Sequence, residues 1–308
     1  MDKHFVWLDC DTGTDDAAAI LCANKLPELQ IVGISAVAGN VELEKTYYNV
    51  HRLNRLMGTS YPVYRGAEKP LQRELETGYR YHGENGLGNV ELPLPETIPE
   101  TKETAWDALY RTAVEMEGEL ELIATGPLTN IGTALLLHPD LPEYLKRIVI
   151  MGGSSKGGNR TPAAEYNIYA DPHAAQMVFS AGVPLTMCGL DVTLKAVLMD
   201  DDLEQIGALG TPAAQFFHKE LLVPLKTQEC GTGLKLHDVV AVLYAARPEL
   251  FEGRMAGVQV ETRSELSVGK TVTDLYSDKK FGFQNAFVVL DLDRAAFKQT
   301  VYDLIAQY

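Results

Sequence analysis

An open α/β fold is predicted, a mostly parallel Rossmann-like sheet with helices on both faces in a single domain spanning 1–308. Three observations predict it. Short β-branched or apolar runs alternate along the chain with longer amphipathic ones, the pattern of βαβ units. The 308 residues are 46% hydrophobic and 22% charged, ample for one sizeable core. No internal repeat, low-complexity stretch or linker interrupts them; the segment Leu92 to Pro99, with Pro93, Pro95 and Pro99, reads as a turn-rich connection.

Phe5-Val6-Trp7-Leu8 reads as a buried strand, followed by a helix from Asp16 to about Lys25. Ile31 to Val37 is the next strand, and Leu43 to Met57 carries Val50, Leu53 and Met57 at helical spacing. The alternation continues with strand Leu120–Ala124, helix Leu128–Leu137, strand Ile148–Met151, helix Pro172–Ser180 and strand Pro184–Cys188. Asp200-Asp201-Asp202 suits a helix start, where acidic side chains meet the positive end of the dipole. Val258–Thr262 and Ala286–Leu290 read as strands and Arg294–Ala306 as a closing helix. Right-handed crossovers bring the strand C-termini to one edge, where ligands of such sheets bind.

Lys and Arg total 27 against 42 Asp and Glu, a formal charge of −15, so neither nucleic acid nor an anionic membrane is expected as a partner. Cys10, Cys22, Cys188 and Cys230 are widely spaced without a Cys-x-x-Cys pair, which suits scattered thiols in a reducing cytoplasm. No signal peptide is read at the N-terminus, and no run approaches the roughly 18 apolar residues of a membrane span. The expectation is a soluble cytoplasmic protein.

The most informative stretch is Asp9-Cys10-Asp11-Thr12-Gly13-Thr14-Asp15-Asp16, four carboxylates within eight residues where the first strand meets the first helix. Strand alternation places Asp9 and Asp11 on one face, Gly13 permits a tight turn, and Asp15 and Asp16 open the helix. Anions this close repel one another unless a cation neutralises them, and an all-oxygen set suits Ca²⁺ or Mg²⁺. An EF-hand would need a carboxylate where Ile20 stands, and a P-loop would need glycine at Ser264. A haloacid-dehalogenase-type phosphatase would have Thr or Val at Gly13 and a later Gly-Asp pair, which the chain lacks.

This stretch resembles the N-terminal motif of the nucleoside hydrolases, the inosine–uridine-preferring family. Further segments match in the family's order: Val37-Ala38-Gly39-Asn40, His82 to Leu87, Ala124 to Asn130, Met151-Gly152-Gly153, Gly158-Asn159, Ala164 to Asn167, Asp171-Pro172 and His237-Asp238. The resemblance implies hydrolysis of a ribonucleoside to ribose and free base in nucleoside salvage, through an oxocarbenium-like transition state. It implies Ca²⁺ held by Asp11, Asp16, Asp238 and the backbone carbonyl of Thr125. Asp11 would be the general base, with Asp9 supporting from behind, and Asp15, Asn40, Asn159, Glu165, Asn167 and Asp238 would bind the ribose hydroxyls. His237 would assist the leaving base, and His82 precedes a glycine-rich loop that would close over it.

Base contacts are expected among Tyr79, Tyr81, Tyr166 and Gln228, by their nearness in sequence to these motifs. The segment Leu221 to Glu229 carries no aromatic residue, so no purine or pyrimidine preference is carried over. A homodimer or homotetramer is implied. Two rivals stand beside this reading: a metal-dependent phosphohydrolase of haloacid-dehalogenase type, and a ribose- or nucleoside-binding protein without catalysis.

Overall fold

The apolar runs become strands β1 (His4–Cys10), β2 (Leu29–Ala36), β3 (Val63–Arg65), β4 (Leu120–Ala124), β5 (Leu145–Met151), β6 (Leu185–Cys188), β7 (Val197–Leu198), β8 (Leu234–Lys235), β9 (Phe251–Val260), β10 (Thr271–Asp274) and β11 (Ala286–Leu292). The structure is a computed structural model that describes residues 3–99, 101–227, 233–276 and 279–308. Among these, nine strands form one sheet in the order β10-β9-β11-β6-β5-β4-β1-β2-β3. From β3 to β11 every neighbouring pair is parallel; β9 runs antiparallel to β11, and β10 antiparallel to β9.

Parallel strands buried on both faces need continuous apolar runs, and Leu120–Ala124 is buried at every position. One apolar layer packs the helices Thr14–Lys25, Leu43–Met57, His237–Ala246 and Arg294–Ile305 on one face. The other packs Ala105–Glu115, Thr129–Leu137 and Pro172–Phe179 on the opposite face. The open sheet with two helical layers agrees with the sequence-based expectation. Strand order reverses at β1, which has β2 on one side and β4 on the other, so a crevice opens beyond their C-terminal ends. Asp11 follows β1 and Thr125 follows β4 at that crevice.

Several elements differ from the sequence reading. Strand β9 begins at Phe251, seven residues before the expected Val258, because Glu252 to Met255 are exposed and carry no buried alternation. The short edge strands β3 and β10 and the helix Ala105–Glu115 went unread. Cys10, Cys22 and Cys188 are free and buried, while Cys230 lies outside the described residues. Among the described residues no helix is long and apolar enough to cross a membrane.

At the sheet edge opposite the crevice, β4 and β5 place Glu121 beside Arg147. Glu121 is buried, accepts from Arg147 Nε at 2.8 Å, and lies 3.2 Å from His4 Nδ1 and 3.6 Å from Lys146 Nζ. Arg147 also donates to the Ala245 carbonyl, joining the sheet to the helix His237–Ala246. Replacing Arg147 with Met leaves Glu121 short of its main partner. Guanidinium unfolding should show a loss of about 3 kcal/mol, the low end for a broken buried pair because Lys146 and His4 remain. A loss below about 1 kcal/mol would contradict this account.

Candidate active site

Asp11 stands just past the end of β1, and the surrounding backbone leaves its carboxylate little freedom. Its Oδ2 accepts the Asn40 backbone N–H at 2.7 Å, while the buried Oδ1 has no hydrogen-bond partner among the described residues. A Cβ on Gly39 would lie 2.1 Å from Oδ2, and one on Gly126 would lie 2.8 Å from Oδ1. Both glycines are therefore required by the closeness of this one side chain. Asp16 Oδ2 accepts from Gly13 N–H at 2.9 Å and Asn40 Nδ2 at 3.1 Å, and its Oδ1 accepts from the Thr125 hydroxyl at 2.7 Å.

One carboxylate oxygen from each of Asp15, Asp16 and Asp238 lies within 4.8 Å of the others, a group that could hold a metal ion. Burial, followed by the negative neighbours Asp16 for Asp11 and Asp15 for Asp238, pushes both carboxyls well above the usual carboxylate range. Asp15 and Asp16 are raised too, chiefly by burial. Anions held this way are chemically suited to a hard divalent cation, and the unpartnered Asp11 Oδ1 is a ready oxygen ligand. The trio includes Asp15, which the sequence reading had assigned to ribose.

Three helix starts meet here: Thr14–Lys25, His237–Ala246 and Tyr166–Ala170. Their N-terminal N–H groups favour negative charge, which partly offsets the crowding of carboxylates. Glu165 caps the third: Oε1 accepts from Asn167 N–H, and Oε2 from Ile168 and Gly153 N–H. Burial still pushes its carboxyl up to about 7.

The two histidines are fixed differently. His82 Nδ1 accepts the Thr14 backbone N–H at 3.1 Å and is also in reach of the Thr14 hydroxyl, so the proton belongs on Nε2. Burial pushes His82 down to about 4, so its 3.8 Å approach to Asp15 is between a neutral ring and a carboxylate and is no ion pair. His237 Nδ1 lies 2.7 Å from the Thr193 hydroxyl, and burial lowers its pKa as well.

These groups line a cavity of about 610 Å³ that includes Asp15, Asn40, His82, Thr125, Asn159, Glu165, Asn167, His237 and Asp238. The structure thus brings the expected ribose and base-assisting residues to one cavity, with Asp11 and Asp16 beneath it. Tyr81 and Tyr166 line it too. Tyr79 does not: Glu42 and Lys45 hold its hydroxyl on the outer side of the helix Leu43–Met57. Gln228 lies outside the described residues. Asp9 is turned to Ser35 and Asn130, and its backbone carbonyl accepts the Thr125 N–H. Met151, from a matched motif, lines it as well; Arg80, Arg160, Thr77 and Lys235 line the cavity but carry no motif signal in the sequence.

Residues 6–299 match the family model of inosine-uridine preferring nucleoside hydrolase. A pyrimidine-specific ribonucleoside hydrolase RihA of Shewanella woodyi is 42% identical over 97% of this chain and 96% of its own. The protein of the same name from Shigella boydii is 41% identical, with 98% of both chains covered. Among solved structures, a purine-preferring ribonucleoside hydrolase from Gardnerella vaginalis superposes with a TM-score of 0.92 at 31% identity, covering 98% of each chain. The chain belongs to the inosine-uridine preferring nucleoside hydrolase family.

Proposed function

We propose that the protein hydrolyses the N-glycosidic bond of ribonucleosides, releasing free base and ribose, with pyrimidine ribonucleosides favoured. The reading is carried by three buried carboxylates, Asp11, Asp16 and Asp238, and the half-buried Asp15, converging beneath and within one cavity that two histidines flank. The base preference rests on relatives 42% and 41% identical, both named pyrimidine-specific.

Asp11, Asp16, Asp238 and the Thr125 carbonyl would hold a Ca²⁺ ion; the Thr125 oxygen already accepts from Asn167 Nδ2 at 2.7 Å but keeps a second lone pair. When bound, such an ion supplies Lewis acidity towards water and sugar hydroxyls. Asp11 Oδ1, without a protein partner, takes the proton from the attacking water as general base. The water oxygen bonds to C1′ while the C1′–N bond breaks, and its electron pair leaves with the base.

The ribose clamp follows from spent and unspent hydrogen bonds. Asn167 uses Nδ2 on the Thr125 and Met151 carbonyls, so its Oδ1 accepts from a sugar hydroxyl. Asn159 Oδ1 accepts the Tyr166 N–H, so its Nδ2 donates. Glu165 keeps one acceptor site on Oε1, and Asp15, Asn40 and Asp238 complete the clamp. His82, with its proton on Nε2, donates a hydrogen bond to the base, and His237, anchored on Thr193, forms a hydrogen bond with the departing base, which takes its proton from solvent. The reading extends to one catalytic domain over 1–308, acting in the cytoplasm as a homodimer or homotetramer.

Uridine or cytidine with the protein should yield free base and ribose, with kcat/KM higher than for inosine; a phosphate monoester should release no phosphate. Failure to release base from any ribonucleoside would overturn the activity. A 2′-deoxynucleoside should lose about 10⁴-fold in kcat/KM, since it leaves the buried clamp unpaired. Asp11→Asn should lower kcat by about 10²–10⁴ while nucleoside binding stays measurable, and near-normal turnover would remove Asp11 as the base. Chelation should abolish turnover and lower Tm, Ca²⁺ should restore both, and Asp238→Asn should blunt the Tm response; a Tm indifferent to chelator and Ca²⁺ would contradict the assigned ion.

A further inference from the structure

Thr193 ends the short helix Leu190–Thr193 that follows β6, and it is fully buried. The backbone on both sides fixes its place. Leu190 N–H donates to the Gly153 carbonyl at 2.9 Å, and the Asp191 carboxylate accepts from the Ser155 N–H at 2.7 Å and the Ser155 hydroxyl at 2.6 Å. These bonds fasten the helix to the loop after β5. Leu236 N–H donates to the Ala196 carbonyl at 2.9 Å and Val197 pairs with Lys235, so the chain just past Thr193 lies against the chain just before His237. The Thr193 hydroxyl and His237 Nδ1 thereby meet at 2.7 Å. That ring nitrogen is the one hydrogen-bond partner the hydroxyl has among the described residues. A buried hydroxyl with a single partner donates to it, because a donor left without an acceptor costs more than an idle lone pair. Nδ1 then accepts, and the proton of the neutral ring sits on Nε2. His82 reaches the same state by another route, since the Thr14 backbone N–H donates to its Nδ1.

We propose that Thr193 is a positioning residue for hydrolysis: its hydroxyl donates to His237 Nδ1, holds the ring proton on Nε2 and so presents an N–H to the base in the cavity. Both histidines that line the cavity are then donors, and the edge of the base they read is one of acceptors, such as the carbonyl oxygens of a pyrimidine. As the C1′–N bond breaks, its electron pair spreads from the ring nitrogen onto those oxygens. A donor already aimed there is worth more in the transition state than in the bound nucleoside. Thr193 is not among the residues lining the cavity, and it acts through His237. The consequence for turnover rests on the hydrolase reading; the position of the proton does not.

Long-range proton–nitrogen NMR spectra of the full chain carrying isotope-labelled histidine, recorded above neutral pH, report which ring nitrogen bears the proton without any turnover. The His237 signals are those lost in His237→Asn. We expect Nε2–H in the wild type and in Thr193→Ser, and a mixture of tautomers in Thr193→Val, which keeps the shape but removes the hydroxyl. With uridine, Thr193→Val should lower kcat by about 10–100-fold, the scale of losing the partner behind a working histidine, while KM stays within about twofold. Thr193→Ser should recover most of that loss. A wild-type ring protonated on Nδ1, a Thr193→Val ring still held as Nε2–H, uridine turnover in Thr193→Val equal to wild type, or a loss that Thr193→Ser does not recover would each overturn the proposal. If no ribonucleoside is cleaved the hydrolase reading fails, and the wild-type spectrum still decides where the proton sits.

Discussion

The structure is organised around an electrostatic constraint: the buried Asp11, Asp16 and Asp238 and the half-buried Asp15 are crowded together although like charges repel. Burial raises the cost of every charge, and negative neighbours raise it further for Asp11, Asp16 and Asp238, so all four carboxyls are held above their ordinary range. An arrangement of this kind is poorly suited to stability alone. Its natural complement is a positive charge, and the oxygens it presents are those a hard divalent cation takes.

The fold supplies the remaining compensation. Reversal of strand order at β1 opens the crevice in which Asp11 and Thr125 meet, and β1 and β4 are directly paired there. Helix N-termini at Thr14, Tyr166 and His237 turn N–H groups towards the carboxylates. Asn40 binds Asp11 through its backbone and Asp16 through its side chain, linking two acids from one loop. Gly39 and Gly126 close on Asp11 so tightly that no side chain fits at either position. The same packing that confines Asp11 leaves Oδ1 without a protein partner, and that atom is the one the proposed chemistry needs.

Much of this was legible in the sequence. Leu43–Met57 and Leu120–Ala124 were read with their observed limits, because strong amphipathic spacing and a wholly apolar run leave little ambiguity. The motif residues from Asp11 to Asp238 gather in or beneath one cavity, since each follows a strand or opens a helix at the crevice. What stayed hidden depends on three-dimensional neighbours. Tyr79 is three residues from His82, yet an exposed pairing with Glu42 and Lys45 takes it away from the cavity. Arg160 and Lys235 reach the cavity from ordinary loop and strand-end positions that no periodicity marks. The exposed stretch Glu252–Met255 concealed half of β9, because its ladder bonds are to β11 and its side chains face water.

The most direct measurement of the central claim is a crystal structure of the protein grown with Ca²⁺ and ribose. The account predicts one cation bonded to Asp11, Asp16, Asp238 and the Thr125 carbonyl at about 2.3–2.6 Å, with the sugar against Asp15, Asn159 and Asn167. A cation held by Asp15, Asp16 and Asp238 with Asp11 left out, or no cation among these carboxylates, would contradict it.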